Sequence, residues 1–281
     1  MLGVIIFDRL NDVVFSHGDE LFEQHIRGMS ARNSLFYPAW SETVPETRSE
    51  RADVLVQLFS PFLASQRIMG LEFHDPYSCI ECENGLLMVF SEYLTYQFLC
   101  LGQHSSLSPR KYISVAVSLA KLLCGPVLTR LKSSDASLSR QLADMLTSYC
   151  ELQRSSQAYH VEAVERLIIG DDVQNKMVSV LQRVVTGLPS GPRAHAFLAV
   201  DSTLVSLYSG RQVAELSPAS FLHLLLLVNA LKPSDAPTDD AEGGPSDDAE
   251  AGPRQPTAAI REVLCFLTAS PLARSRPTWC T

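Results

Sequence analysis

No run of lysine and arginine occurs in the 281 residues, and 31 acidic against 23 basic side chains leave a formal charge of −8. That balance argues against nucleic acid or an anionic membrane as the main partner, because both reward clustered cations. Long apolar runs are missing as well. The most apolar stretch, Phe221 to Val228, contains His223, is followed by Asn229 and falls far short of the roughly 20 residues a bilayer span needs. Leu2 to Phe7 is too short for a signal-peptide core, has no basic residue before it and runs into Asp8 and Arg9. A soluble chain is expected, and its seven scattered cysteines are expected as reduced thiols.

Catalytic signatures are equally scarce. Neither phosphate-binding glycine loop, G-x-x-x-x-G-K-[ST] or G-x-G-x-x-G, is present, and no G-x-S-x-G elbow appears. The seven histidines are isolated, with no H-E-x-x-H and no partner four residues on. Cys79-Ile80-Glu81-Cys82 is the single CxxC. A metal site would want a second pair or a histidine, and on a strand residues three apart point to opposite faces, so buried apolar thiols are the expectation. Glu81 and Glu83 flank Asn84-Gly85, where carboxylates are ordinarily solvated rather than paired for catalysis.

What is present is an alternation of short strands and amphipathic helices. Apolar runs at Gly3–Phe7 and Val13–Phe15 flank Asp8-Arg9-Leu10-Asn11-Asp12 and predict a β-hairpin at the start of the chain. Glu20, Leu21, Phe22 and Ile26 suggest a short helix, and Pro38 to Arg48 a loop with two prolines. Val54, Leu55, Leu58, Phe59, Phe62 and Leu63 then mark one helical face, with Ser49 as its cap and a kink or break at Pro61.

Phe73 to Glu81 reads as a strand that Pro76 confines to an edge or a late start. Glu83-Asn84-Gly85 is a turn, Leu86 to Phe90 returns, Ser91 to Leu94 turns again and Tyr96 to Leu101 completes the set. Ser108-Pro109 opens a helix that runs to Gly125-Pro126. Further helical patterns cover Ala136–Ser155, Tyr159–Ile169 and Val173–Val185. The simplest packing of this first block is α+β, a five-stranded antiparallel sheet flanked by helices.

After Pro192 the pattern restarts: Ala196–Val200 and Leu204–Tyr208 form a second hairpin, and Ser217-Pro218 opens a helix through Ala230. Residues 233–256, PSDAPTDDAEGGPSDDAEAGPRQP, are acidic, rich in proline and glycine and free of large apolar side chains, so disorder is expected. Ala258 to Leu267 suggests one short helix. With no catalytic constellation, surface rather than chemistry is the expectation, and a binding module the default.

The stretch QAYHVEAVERLI (Gln157–Ile168), the later AFLAVDSTLVSLYS and LSPASFLHLLLLVNAL, and LVQLFSPFLASQRI with the ENG turn resemble the N-terminal half of the Fuzzy and Hermansky–Pudlak type 1 longin-domain family. That resemblance covers roughly Met1 to Lys232. It implies a longin domain over 1–156, a helical connector over 157–192 and the start of a second, incomplete longin-like ββα unit over 193–232, before the acidic linker at 233–256 and a tail at 257–281.

The resemblance further implies a non-catalytic subunit of the third biogenesis-of-lysosome-related-organelles complex. In that complex it would be paired with the Hermansky–Pudlak type 4 protein to exchange guanine nucleotide on a Rab GTPase. The implied location is cytoplasmic, with at most peripheral association with endosomes or lysosome-related organelles through the complex. No cofactor is implied and no catalytic residue is carried over. The expected pairing surface is the first long helix with its neighbouring strand edge, and Val54 and Leu58 are the candidate partner-binding side chains. Two other readings stand beside it: a longin-type trafficking adaptor without exchange activity, and a thiol enzyme using Cys79 and Cys82.

Overall fold

The computed structural model describes residues 1–32, 48–103, 108–132, 137–156, 164–189, 193–200, 202–213, 215–231 and 265. Most of the loop at 38–48, the acidic segment 233–256 and the helix expected at 258–267 lie outside these, Arg48 and Cys265 apart.

The opening apolar run becomes the middle of a sheet. β1 (Leu2–Phe7) is hydrogen-bonded on one side to β2 (Val13–Gly18) and on the other to β5 (Tyr96–Gln103), which continues to β4 (Leu86–Tyr93) and β3 (Cys79–Glu81). All four pairings are antiparallel. Gly3 to Phe7 is buried at every position because both faces of β1 are covered, so its sequence reads as a continuous apolar run rather than an alternation. Val4 and Ile6 enter one core together with Phe98, Leu119, Met145 and Tyr149. Ile5 and Phe7 enter the other with Phe22, Leu55, Phe59 and Leu63. Three layers result, helix on sheet on helix.

One outer layer is α1 (Glu20–Arg32) with α2 (Arg48–Glu72). Ser49 lies inside α2 rather than capping it, and the helix passes Pro61 without a break. The carbonyl deprived of its donor by Pro61 belongs to Gln57, and both positions are exposed, where solvent can satisfy it. By length and composition the part of α2 from Arg51 to Glu72 could reach across a bilayer, although no continuous apolar run marks it in the sequence. Leu55, Phe59 and Leu63 of this helix are fully buried against the sheet.

The strand expected from Phe73 begins only at Cys79, because α2 runs on to Glu72 and Pro76 follows. The turn after it is as expected: Gly85 takes φ 75°, its N–H bonds the Cys82 carbonyl at 2.9 Å, and Asn84 Oδ1 accepts from the Leu86 N–H at 3.1 Å. β4 outruns its expected end. Ser91, Glu92 and Tyr93 pair with Phe98, Gln97 and Tyr96, leaving a two-residue turn with Leu94 at φ 57°. The right-handed twist of the hairpin favours such tight, positive-φ turns.

The other layer is α3 (Pro109–Cys124), a 3-10 turn at Leu128–Lys132 and α4 (Ser137–Ser155). Ser108 stands at the N-cap of α3, but its side chain makes no capping bond. The start rests on Pro109, which packs so closely on Gly102 of β5 that any Cβ there would collide with the ring.

The helix expected over Tyr159–Ile169 is absent from its described part. Residues 164–169 are not helical, and Arg166 bridges to Leu204 in parallel. The Leu204 N–H bonds the Glu165 carbonyl and the Leu167 N–H bonds the Leu204 carbonyl, both at 2.8 Å. An open strand edge claimed a backbone whose side-chain spacing alone favoured a helix. α5 (Asp171–Gly187) then packs on the hairpin of β6 (His195–Val200) and β7 (Thr203–Ser209). In α6 (Pro218–Ala230) the Ser217 hydroxyl accepts the Ser220 N–H at 3.1 Å, the cap that the Ser-Pro pair predicts. Leu222, Leu226 and Leu227 of α6 join the core built by α3 and α4, so the second unit shares a core with the first.

Candidate protein-interaction surface

The expected partner surface is built on α2 and the sheet beneath it. Four polar contacts hold the helix across the strands. Arg51 pairs with Glu23 of α1. Asn11 Nδ2 donates to Ser60 Oγ at 3.4 Å. Gln97 Nε2 donates to Gln66 Oε1 at 2.6 Å. The Arg67 guanidinium donates to the carbonyls of Asp8 and Arg9 at 3.0 and 2.9 Å, tying the C-terminal part of the helix to the β1–β2 turn.

That turn is itself held by further polar contacts. Asp8 Oδ1 accepts from the N–H groups of Leu10 and Asp12 at 2.8 and 3.0 Å, and Lys132 Nζ lies 3.2 Å from Oδ2. Burial alone would raise the Asp8 pKa, but these donors and the lysine outweigh it and hold the carboxyl below its ordinary value.

Val54 and Leu58 do not present an outward face. Val54 is 7% exposed within the α2-side core, and Leu58 is half-buried against the same cluster. Spacing identified the apolar stripe correctly, but its members pack on the α2-side core, Leu58 and Phe62 in part. The apolar groups that do face out lie further along: Ile68 is 55% exposed, Leu71 75% and, just past the helix end, Phe73 66%. Leu10, in the turn that Arg67 holds, is exposed as well. Of these only Phe73 falls in the segment read as strand; Ile68 and Leu71 lie past Leu63, the last apolar residue of the stripe, and spacing does not single them out. The neighbouring strand, β2, is an edge strand of the sheet.

The CxxC divides across the sheet. Cys79 packs on the α3-side core and Cys82 on the α2-side core, as strand alternation requires. Cys79 Sγ accepts a hydrogen bond from Arg110 Nη2 at 2.7 Å. Glu81 and Glu83 are both exposed. Among the described residues no group of three or more histidines, cysteines or carboxylates is placed to hold a metal ion. The remaining described thiols with shifted acidity are Cys100, Cys124, Cys150 and Cys265, all pushed upward chiefly by burial, Cys124 and Cys150 to about 11.

The arrangement therefore offers a helix face, a strand edge and exposed apolar groups, all suited to contact with another protein. The structure runs ββ, then α1 and the long α2, then βββ, α3 and α4, and apart from the additional short helix α1 this order, with an antiparallel sheet between helical layers, is that of a longin domain. A family model described as the first longin domain of FUZ, MON1 and HPS1 matches residues 3–152, more than half of the 281. The chain belongs to that longin-domain family, membership of which fits a role in membrane trafficking.

Proposed function

We propose that this chain is a non-catalytic longin subunit of a heterodimeric guanine-nucleotide exchange complex of the Hermansky–Pudlak type 1 kind. Its partner subunit would be the Hermansky–Pudlak type 4 protein and its client a Rab GTPase on the route to lysosome-related organelles. The observation that carries the reading is the family match over 3–152, joined by the resemblance of Gln157–Ile168 and the second hairpin to the type 1 branch.

Exchange of this kind needs no nucleophile, acid or base from the chain. A complex that binds nucleotide-free GTPase more tightly than the loaded form weakens nucleotide binding by the same factor, because the linkage is reciprocal. A hundredfold faster release corresponds to about 2.7 kcal/mol of barrier, within reach of a modest interface. The outer side of α2, its exposed end at Ile68 and Leu71 and the β2 edge are the surfaces assigned to this contact. The complex would work in the cytoplasm and reach membranes only peripherally.

The test is co-expression with the type 4 partner, followed by release of a fluorescent GDP analogue from loaded Rab GTPases. A stable heterodimer that accelerates release from at least one Rab, while each subunit alone does not, supports the reading. A heterodimer that binds Rab without accelerating release would instead identify a trafficking adaptor, and failure to form a heterodimer would remove the proposal.

A further inference from the structure

Two hairpin turns and one loop meet at a single end of the sheet. Phe7 of β1 lies opposite Gln97 of β5, and Tyr93 of β4 opposite Tyr96 of β5. The β1–β2 and β4–β5 turns therefore leave the sheet together. The strand order β2-β1-β5-β4 sets them two strand spacings apart, about 10 Å. The chain leaving α3 crosses this end on the α3 side. The Tyr93 hydroxyl donates to the Gly125 carbonyl at 3.3 Å where the crossing begins. At Lys132 it is tied by the carboxylates of Asp8 and Asp12, at 3.2 and 3.3 Å from Nζ.

Each of the three segments exposes a large apolar side chain at this rim: Leu10 is 73% exposed, Leu94 55% and Val127 49%. Turns ordinarily carry glycine or polar residues, and the fold explains neither leucine. Leu94 is held at φ 57°, where a Cβ costs energy, and it packs little in return. Leu10 gives its turn only a backbone N–H, bonded to Asp8 Oδ1, which almost any residue could supply.

Cations surround these tips. Arg9 and Arg130 are exposed and pair with no carboxylate among the described residues, and Lys121 Nζ stands 5.5 Å from the centre of the Tyr93 ring. Lys132 already holds both Asp8 and Asp12. The other described carboxylates nearby lie off this rim. Tyr93 packs toward α3, so its neighbour Glu92 points to the α2 side, where Glu72 and Asp75 also lie at the end of that helix. Asp144 of α4 acts on His17, four residues along β2 from the turn. The α3-side rim is thus positive on a chain of net charge −8, and no run marks it because its cations come from separate segments.

We propose that this rim docks the chain on an anionic lipid bilayer. Leu10, Leu94 and Val127 enter the boundary between headgroups and acyl chains, and Arg9, Lys121 and Arg130 meet lipid phosphates. Apolar burial and attraction to anionic lipid add, giving reversible interfacial binding without a spanning segment. Separate protruding tips with cations between them suit a deformable surface, whereas the core of a protein interface is a packed patch poor in charge. The GTPase contact assigned above uses the outer side of α2 and the β2 edge. Docking does not depend on that reading, and its assay contains neither partner subunit nor GTPase.

The full chain is sedimented with vesicles of phosphatidylcholine and phosphatidylserine mixed three to one, and with vesicles of phosphatidylcholine alone. Pelleting with the mixed vesicles only, reversed by raised salt, is expected. Arg130→Glu should weaken it about tenfold. Leu10→Ser and Leu94→Asn should each weaken it several-fold, with unchanged circular dichroism because both positions are exposed. Leu198→Ser, at an exposed apolar position on β6, should leave it unchanged. The proposal is overturned by absence of pelleting with the mixed vesicles, by pelleting indifferent to Arg130→Glu and Leu94→Asn, or by equal weakening from Leu198→Ser. Self-association of the free chain that Leu94→Asn removes would overturn it as well, by naming a second copy as the occupant.

Discussion

The ring of Phe22 occupies the space that side chains on Gly3 and Gly18 would need. The two glycines are cross-strand partners in β1 and β2, and a Cβ on either would overlap the ring of Phe22 in α1. Phe22 is fully buried, so the notch fixes where α1 meets the sheet. Gly18→Ala is expected to cost about 1–3 kcal/mol by overpacking. Combined with Phe22→Ala the losses should be markedly less than additive, measured by urea unfolding of the single and double variants. Strict additivity would show that the ring and the glycine do not compete for one space.

Leu226 of α6 couples the second hairpin unit to the core under α3 and α4. Truncating it to alanine removes apolar contact from the core shared by α3, α4 and α6, at an expected cost of about 2–5 kcal/mol. Because the core is shared, a single cooperative transition should move as a whole. Leu198→Ser, at a position 40% exposed on β6, should change stability by no more than ~0.5 kcal/mol. Two separate transitions, with only one responding to Leu226→Ala, would contradict the shared core.

Leu94 sits at φ 57° in the β4–β5 turn, a conformation that costs a residue with a Cβ about 1–2 kcal/mol. Its side chain is 55% exposed and contributes little packing. Leu94→Asn should therefore raise the unfolding free energy by about 0.5–1 kcal/mol, visible as a higher urea midpoint at unchanged slope. A destabilised variant would mean that the leucine makes a contact worth more than the strain.

The thiols should divide by location. Cys124 and Cys150, with pKa raised to about 11, and Cys100, raised further by burial, carry almost no thiolate near pH 7. They should resist a disulfide exchange reagent until the protein unfolds. Cys79 and Cys82 face opposite cores and should not bridge under mild oxidation. Mass spectrometry of the native, oxidised chain would refute this by finding the loss of two hydrogen atoms in the peptide carrying both.

His17 titrates against the fold. Burial lowers its pKa first, the nearby Arg51 guanidinium lowers it further, and Asp144 and Asp19 only partly offset these. The folded state then binds fewer protons than the unfolded state once pH falls below about 6.5. Stability present above that pH should decline as the solution is acidified through the folded-state pKa. His17→Gln should flatten the unfolding free energy between pH 7 and 5, and an unchanged slope would exclude His17 as the source.

Much of the architecture was legible because period and turn chemistry are local. The hairpin around Asp8–Asp12, the Asn84-Gly85 turn and the Ser217 cap each depend on residues within a few positions of one another. The helix expected at Tyr159–Ile169 failed for the converse reason: its described part pairs with Leu204, nearly forty positions away, and no local pattern reports a distant open edge. Ser108 shows a finer limit, since the Ser-Pro signal placed the helix start correctly while the hydroxyl went unused.

The candidate surface was less legible than the fold. Spacing showed that Val54 and Leu58 lie on an apolar stripe, but a stripe looks the same whether it meets the protein's own sheet or a partner. The amino-acid order by itself determined most of the strands and helices, Tyr159–Ile169 apart, and which of their faces are apolar, because those follow from backbone periodicity. Only the tertiary structure decided that β1 is central, that α6 packs on α4 and that Ile68 and Leu71 face outward. Those outcomes depend on which distant elements meet, and a single chain of letters does not record distance in space.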